Sequence, residues 1–162
     1  MGGKHAEFFI KGESEMMRFG GALSKACEGG EIIYLHGELG AGKTTMVRGY
    51  LRQMGHEGAV KSPTYTLVEH YSYNGKIIYH FDLYRLGDGE ELEYMGIRDY
   101  FHQKAICLLE WPERGRGYIP SADIDITIFY EHEGQRRLRL KPISRQGIQV
   151  FNVINGLFSA MR

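Results

Sequence analysis

The hydrophobic positions of the chain change repeatedly from the short runs of strands to the wider spacing of helices, which predicts an α/β fold. Residues 104–109 form the most continuous apolar run and predict a central, buried strand. Residues 31–36 predict a second buried strand that leads into a glycine-rich loop. Residues 8–11 predict a short first strand at the beginning of the chain.

Two pairs of strand-like runs predict hairpins. Asn74-Gly75 favours a tight turn and separates residues 67–73 from residues 76–82. Alternating apolar positions in residues 124–130 and 135–140 predict a second hairpin. Both hairpins are expected to add antiparallel strands to an otherwise parallel sheet.

Three stretches carry apolar residues at helical spacing. Residues 14–28 predict a helix with Ser14 as its N-cap, and residues 44–54 predict a helix directly after the glycine-rich loop. Residues 146–160 predict a C-terminal helix that packs on the sheet, although its apolar face is also compatible with binding a partner. The residues of this face are Ile148, Phe151, Ile154, Leu157 and Phe158.

The glycine-rich loop matches the phosphate-binding pattern G-x-x-x-x-G-K-[ST]. Its sequence is Gly37-Glu38-Leu39-Gly40-Ala41-Gly42-Lys43-Thr44-Thr45. Such a loop turns its backbone N–H groups around a phosphate, and the following helix directs its positive end at the same anion. Lys43 would reach the β- and γ-phosphates, and the Thr44 hydroxyl would bind Mg²⁺. A glycine-rich turn without a ligand is the alternative, but it has no need for the Lys43-Thr44 pair.

Two acidic residues follow predicted strands. Asp82 ends the run 76–82, and Glu110 follows the run 104–109. Because α/β proteins bind ligands at the carboxyl ends of their strands, both acids are expected near the phosphate loop, where one would complete the Mg²⁺ site or position water. Solvated carboxylates at two strand ends are the alternative. His80 and Asp82 share a strand face, so a hydrogen bond between them is expected.

A loop at residues 60–66 contains Ser62, Pro63 and Thr64 and lies about 20 residues after the phosphate loop. Two interpretations are open: a sensor of the γ-phosphate or Mg²⁺, or a surface turn whose hydroxyls bond to their own backbone. Trp111 directly follows Glu110, so it either covers the site or packs as an ordinary aromatic side chain.

Composition adds few restrictions. Lys and Arg number 20, as do Asp and Glu, so no overall charge indicates a nucleic-acid or membrane partner. Two cysteines without metal-ligand spacing indicate reduced thiols in a cytoplasmic protein. The sequence lacks a guanine-reading Asn-Lys-x-Asp motif, which makes adenine the expected base. The fold class that follows is a three-layer P-loop NTPase with a mostly parallel central sheet and antiparallel hairpins, in a single domain over residues 1–162.

Four motifs together resemble the TsaE (YjeE) family, the ATPase of bacterial tRNA threonylcarbamoyladenosine biosynthesis. The resemblance extends from about residue 14 to residue 140, and residues 144–162, a predicted helix, carry no matching motif. The motifs are the phosphate loop, Ser62-Pro63-Thr64-Tyr65, His80-Phe81-Asp82-Leu83-Tyr84-Arg85-Leu86 and Glu110-Trp111-Pro112-Glu113.

The resemblance implies a role for each matching position. Lys43 and Asp82 are implied as catalytic residues, and Thr44 and Glu110 as Mg²⁺ ligands. The implied ATP/ADP-binding residues are Glu38, Leu39, Gly40, Ala41, Gly42, Lys43, Thr44, Thr45, Ser14, Thr64, Trp111 and Arg136, of which Ser14 and Arg136 are candidates for base contacts.

The resemblance also implies partners. The family's ATPase acts with TsaB and TsaD, and ATP hydrolysis is expected to reset that complex between turnovers, without sequence-specific nucleic-acid binding by the ATPase itself. Two other functions stay open from the residues: a P-loop kinase of a small metabolite, and a non-catalytic switch that senses the nucleotide.

Overall fold

The computed structural model describes residues 4–102 and 104–160. Seven strands in these residues form one sheet. The strands are β1 (Ala6–Lys11), β2 (Ile32–His36), β3 (Val68–Tyr73), β4 (Lys76–Asp82), β5 (Ala105–Glu110), β6 (Ile124–Tyr130) and β7 (Gln135–Pro142). Their order across the sheet is β1-β7-β6-β2-β5-β4-β3. The four inner strands β6, β2, β5 and β4 are parallel, whereas β3, β7 and β1 join antiparallel.

The apolar runs explain this order. Every residue of β5 is buried, as expected of a strand covered on both faces, and β5 lies between β2 and β4. The hairpin at Asn74-Gly75 is confirmed: both residues have positive φ, 54° and 77°, as this tight turn requires. The hairpin of β6 and β7 is also confirmed. Parallel strands therefore form the centre, and hairpin strands form the edges.

Helices cover both faces of the sheet. The helices are α1 (Gly12–Ala26), α2 (Lys43–Gln53), α3 (Glu90–Tyr94) and α4 (Arg145–Ala160), and the 3₁₀ helices span Ile97–Tyr100 and Pro112–Gly115. One hydrophobic core lies between the sheet and the three longer helices, α1, α2 and α4, and a second lies under α3 and the 3₁₀ helices. The predicted three-layer arrangement is therefore confirmed. None of the helices in the described residues has the length and apolarity of a bilayer-crossing segment.

The predicted start of α1 is wrong. The helix begins at Gly12, and its N-cap is Lys11, whose backbone N–H donates to the Glu15 carboxylate at 2.8 Å. Gly12 has a φ of +78°, which a glycine adopts without strain, so the chain turns into the helix before it reaches Ser14. The helix also ends two residues earlier than predicted.

Helix α4 packs against α1 and the sheet, which confirms the packing interpretation of its apolar face. Phe158 contacts the rings of Phe8 and Phe19 at centroid distances of 5.3 and 5.2 Å. Ile148, predicted to belong to the buried face, is 38% exposed, and Val150 is buried instead. Residues 161 and 162 of the predicted C-terminal segment, residues 1–3 and residue 103 lie outside the described residues.

Close contact between α1 and α2 fixes the helix that carries the phosphate loop. A Cβ atom on Gly20 would lie 2.1 Å from the carbonyl oxygen of Met46, and one on Gly49 would lie 2.1 Å from that of Met17. Only glycine at these two positions lets the helix backbones approach this closely. The N-terminus of α2 is thereby held at the carboxyl end of β2.

Candidate functional site

The phosphate loop lies between β2 and α2, as the sequence predicts. Gly40 and Gly42 adopt positive φ angles of 79° and 119°, and the backbone N–H of Ala41 donates to the carbonyl oxygen of Glu38 at 3.0 Å. These positive φ angles are readily adopted only by glycine. The loop therefore turns tightly into the first residue of α2, Lys43.

Lys43 is buried within this loop, with 5% of its surface exposed. Its Nζ donates to the carbonyl oxygen of Gly37 and lies 3.8 Å from the centroid of the Trp111 ring. Burial lowers the pKa of Lys43 from its ordinary value, and the nearby carboxylates of Glu110 and Asp82 oppose this shift. A buried cation in a ring of backbone dipoles is suited to receive an anion.

Glu110, at the end of β5, contacts the first turn of α2. The Thr44 hydroxyl donates to Glu110 Oε2 at 2.9 Å, and His80 Nε2 lies 2.7 Å from the same oxygen. The predicted hydrogen bond between His80 and Asp82 is wrong. Although His80 and Asp82 share a face of β4, the register of β4 and β5 brings Glu110 close enough for His80 to bond across the strands.

Asp82 bonds to the loop at residues 60–66 instead. Its Oδ2 accepts hydrogen bonds from the hydroxyls of Ser62 and Thr64, the latter at 3.0 Å, and its Oδ1 accepts from the backbone N–H of Tyr84 at 3.0 Å. The two hydroxyls therefore bond to Asp82 rather than to their own backbone. These hydrogen bonds contradict the interpretation of this loop as a simple surface turn.

One cavity of about 250 Å³ joins these groups. It contains the candidates Leu39, Gly40, Gly42, Lys43, Thr44, Thr45, Thr64, Asp82, Glu110 and Trp111, together with Ser62 and Tyr84. Trp111 lies at the cavity wall in a left-handed conformation, with a φ of 58°. The carboxyl ends of β4 and β5 and the start of α2 thus meet at one place, as the sequence predicts.

Two other candidates line an adjoining cavity of about 240 Å³, between the start of α1 and the β6–β7 turn. Ala41 is one, and Arg136 is the other. Arg136 Nε donates to the carbonyl oxygen of Ala41 at 3.0 Å, and its guanidinium lies 4.7 Å from the centroid of the Tyr130 ring. Arg136 therefore restrains the phosphate loop directly, a contact that its position in the sequence does not indicate.

Glu38 and Ser14 line neither of these two cavities. Glu38 lines a larger space of about 660 Å³ beside β6, on the other side of the loop. Ser14 is exposed and lines a groove between α1 and α2. The structure therefore brings most candidates together but does not bring Ser14 to the loop.

The side chains at the cavity fit Mg²⁺, which prefers hydroxyl and carboxylate oxygens. Within residues 4–102 and 104–160, no group of three or more His, Cys, Asp or Glu side chains is arranged to hold a metal alone. Thr44 and Glu110 could hold the ion together with phosphate oxygens. This is how Mg²⁺ is commonly bound in nucleotide sites.

A strand, a glycine loop ending in Lys-Thr and a helix, with acidic residues at the ends of neighbouring parallel strands, define the P-loop NTPase class. The comparisons with known proteins agree. Residues 10–138 match the family model described as threonylcarbamoyl adenosine biosynthesis protein TsaE. The chain belongs to the TsaE family, which confirms the resemblance of its motifs.

Relatives that are named tRNA threonylcarbamoyladenosine biosynthesis protein TsaE cover most of the chain. The Haemophilus influenzae protein is 53% identical over 137 residues, which are 82% of this chain and 86% of that protein. The Bacillus subtilis protein is 32% identical over 117 residues, 72% of this chain and 73% of that protein. The crystal structure of Bacillus subtilis YdiB aligns with a TM-score of 0.78 over 98% of this chain and 96% of that one; at 22% identity it shows the fold alone.

Proposed function

We propose that this protein is the Mg²⁺-dependent ATPase subunit of the machinery that makes threonylcarbamoyladenosine in tRNA. Membership of the TsaE family supports the pathway, because the family and its relatives are named for that biosynthesis. The observation that carries the ATPase assignment is the meeting of Lys43, Thr44, Asp82 and Glu110 in one cavity at the phosphate loop.

The proposed chemistry is in-line attack of water on the γ-phosphate of ATP. The loop amides and Lys43 would neutralise charge that develops on the phosphate oxygens. Mg²⁺, held by Thr44 and Glu110 together with the phosphates, would supply further charge neutralisation when bound. Asp82 would orient the attacking water or accept its proton.

Lys43 has to change its contacts for this reaction. Its Nζ, now on the carbonyl oxygen of Gly37 and over Trp111, has to turn toward the phosphates. Asp82 accepts both hydroxyls on Oδ2 and the backbone N–H of Tyr84 on Oδ1, so Oδ1 retains acceptor capacity for the attacking water. Intrinsic turnover is expected to be slow, because the sequence offers no clear arginine finger.

TsaB and TsaD are the proposed partners, and ATP hydrolysis is proposed to reset their complex between turnovers. The balance of 20 basic and 20 acidic residues is consistent with a subunit that does not bind tRNA by itself. The corresponding location is the cytoplasm.

Release of inorganic phosphate from ATP, measured with and without the partners, tests this proposal. Lys43→Ala and Asp82→Ala are expected to abolish turnover while the circular dichroism spectrum stays unchanged. Glu93→Ala, which removes an acidic side chain outside the cavity, is the control and keeps turnover. Hydrolysis by Asp82→Ala at the wild-type rate would remove the proposed role of Asp82.

A non-catalytic nucleotide switch is the second candidate, and the bonding of Asp82 to Ser62 and Thr64 favours it over a kinase. The switch predicts nucleotide binding without phosphate release, even with the partners present. A small-metabolite kinase predicts a phosphorylated product from γ-labelled ATP. Free labelled phosphate identifies the ATPase.

A further inference from the structure

His80 is a fully buried polar residue with a specific contact to the site. It lies on β4 between Ile78 and Asp82, on the face that packs against the longer helices, and none of its surface is exposed. An apolar side chain would fill this position without the cost of burying an imidazole. The presence of histidine therefore calls for a specific hydrogen bond, and Glu110 provides its acceptor.

The geometry assigns the ring proton to Nε2. A carboxylate only accepts hydrogen bonds, so the contact of 2.7 Å between His80 Nε2 and Glu110 Oε2 requires an N–H at Nε2. In the described residues His80 Nδ1 has no hydrogen-bond partner. The ring is thus held through one nitrogen, and the atom that it holds belongs to Glu110.

Glu110 receives this bond on the same oxygen that accepts the Thr44 hydroxyl. Two donors on Oε2 fix the direction of the carboxylate, and no hydrogen bond in residues 4–102 and 104–160 is donated to Oε1. Thr44 belongs to the loop–helix junction that would change on binding phosphate, whereas His80 comes from the interior of the sheet. We therefore expect His80 to be the donor that stays in place when a nucleotide binds.

We propose that His80 is a positioning residue of the magnesium site: its Nε2–H holds Glu110 so that one carboxylate oxygen faces Thr44 and the other faces the ion. This proposal rests on the nucleotide-binding function proposed above. It extends that function, because His80 would touch neither the nucleotide nor the metal and would act only through Glu110.

Two polar substitutions separate positioning from packing. The side-chain amide nitrogen of glutamine reaches about as far as Nε2 of histidine, so His80→Gln retains a donor for Glu110. His80→Asn places its amide nitrogen near the position of Nδ1 and loses that donor. Ile78→Val, on the same face of β4, is the control for a change in packing that does not touch Glu110.

The measurement is the affinity for a fluorescent, non-hydrolysable ATP analogue, titrated with Mg²⁺ and repeated in EDTA. His80→Asn is expected to raise the Mg²⁺ concentration for half-maximal tightening by roughly 10- to 100-fold, the usual effect of losing a partner of a metal ligand. Its affinity in EDTA should match the wild type. His80→Gln and Ile78→Val should both follow the wild-type Mg²⁺ dependence.

Three results would overturn the proposal. Wild-type Mg²⁺ dependence in His80→Asn would show that Glu110 needs no help from His80. If His80→Asn lowered the affinity for the analogue equally with Mg²⁺ and in EDTA, His80 would have a structural role only. If Mg²⁺ had no effect on binding of the analogue to the wild-type protein, Glu110 would have no role in metal binding. Of the three results, only this one would also contradict the proposed function.

Discussion

Arg136 provides a test of how the phosphate loop is kept in its binding shape. The charged hydrogen bond from Arg136 Nε to the carbonyl oxygen of Ala41, at 3.0 Å, is worth about 1.5–3 kcal/mol. The guanidinium on the exposed Tyr130 ring adds about 0.5–1 kcal/mol. If half of this interaction free energy serves to order the loop, Arg136→Ala lowers the binding free energy of ATP by about 1–2 kcal/mol and raises the Kd for ATP about five- to thirtyfold.

The assay distinguishes this restraint from the base contact that the family resemblance implies for Arg136. Affinities for fluorescent ATP and GTP analogues are measured in parallel, with Arg137→Ala as the matched control. Arg137 is the next residue but bonds to Glu7 and Glu131, away from the loop. A loop restraint predicts equal losses for both analogues. Loss of affinity for the ATP analogue alone would contradict a loop restraint and support a base contact.

Three further predictions concern stability and the site. Burial lowers the pKa of Lys43, so its protonated form destabilises the fold. Lys43→Met should therefore raise the melting temperature of the nucleotide-free protein at neutral pH. This gain in melting temperature should shrink as the pH approaches 10.5, the ordinary pKa of a lysine. Gly20→Ala would push the backbone of Met46 away and should lower the free energy of unfolding by about 1–3 kcal/mol, which lowers the melting temperature by about 2–4 °C per kcal/mol. The control is Gly156→Ala, whose added methyl group lies in open space and should not destabilise the fold. Trp111, the single tryptophan, should change its fluorescence when ATP draws Lys43 away from its ring, but not with adenosine.

Local patterns in the sequence are sufficient to predict the parts of the fold that depend on burial and turn chemistry. The continuous apolar run of β5, the Asn74-Gly75 turn and the glycine loop before Lys43 each have one favourable structure. The position of Asp82 and Glu110 at strand ends is also predictable, because parallel strands present their carboxyl ends at the same edge of a sheet.

Contacts that depend on register between distant segments are not readable from the sequence. The alternation of side chains along a strand places His80 on the buried face of β4. It cannot show that the hydrogen-bond partner of His80 is Glu110 rather than Asp82. The start of α1 depends on the φ of Gly12, which precedes a plausible capping residue, Ser14. The contact of Arg136 with the phosphate loop joins residues 95 positions apart and requires the tertiary structure.

A crystal structure with Mg²⁺ and a non-hydrolysable ATP analogue tests nucleotide binding at the phosphate loop most directly. We expect the loop amides and Lys43 to surround the β- and γ-phosphates, with Mg²⁺ at about 2.0–2.1 Å from the Thr44 hydroxyl and with Glu110 and Asp82 on the side of the ion. An analogue bound in the groove between α1 and α2, with Lys43 still directed at Gly37 and Trp111, would contradict nucleotide binding at the phosphate loop.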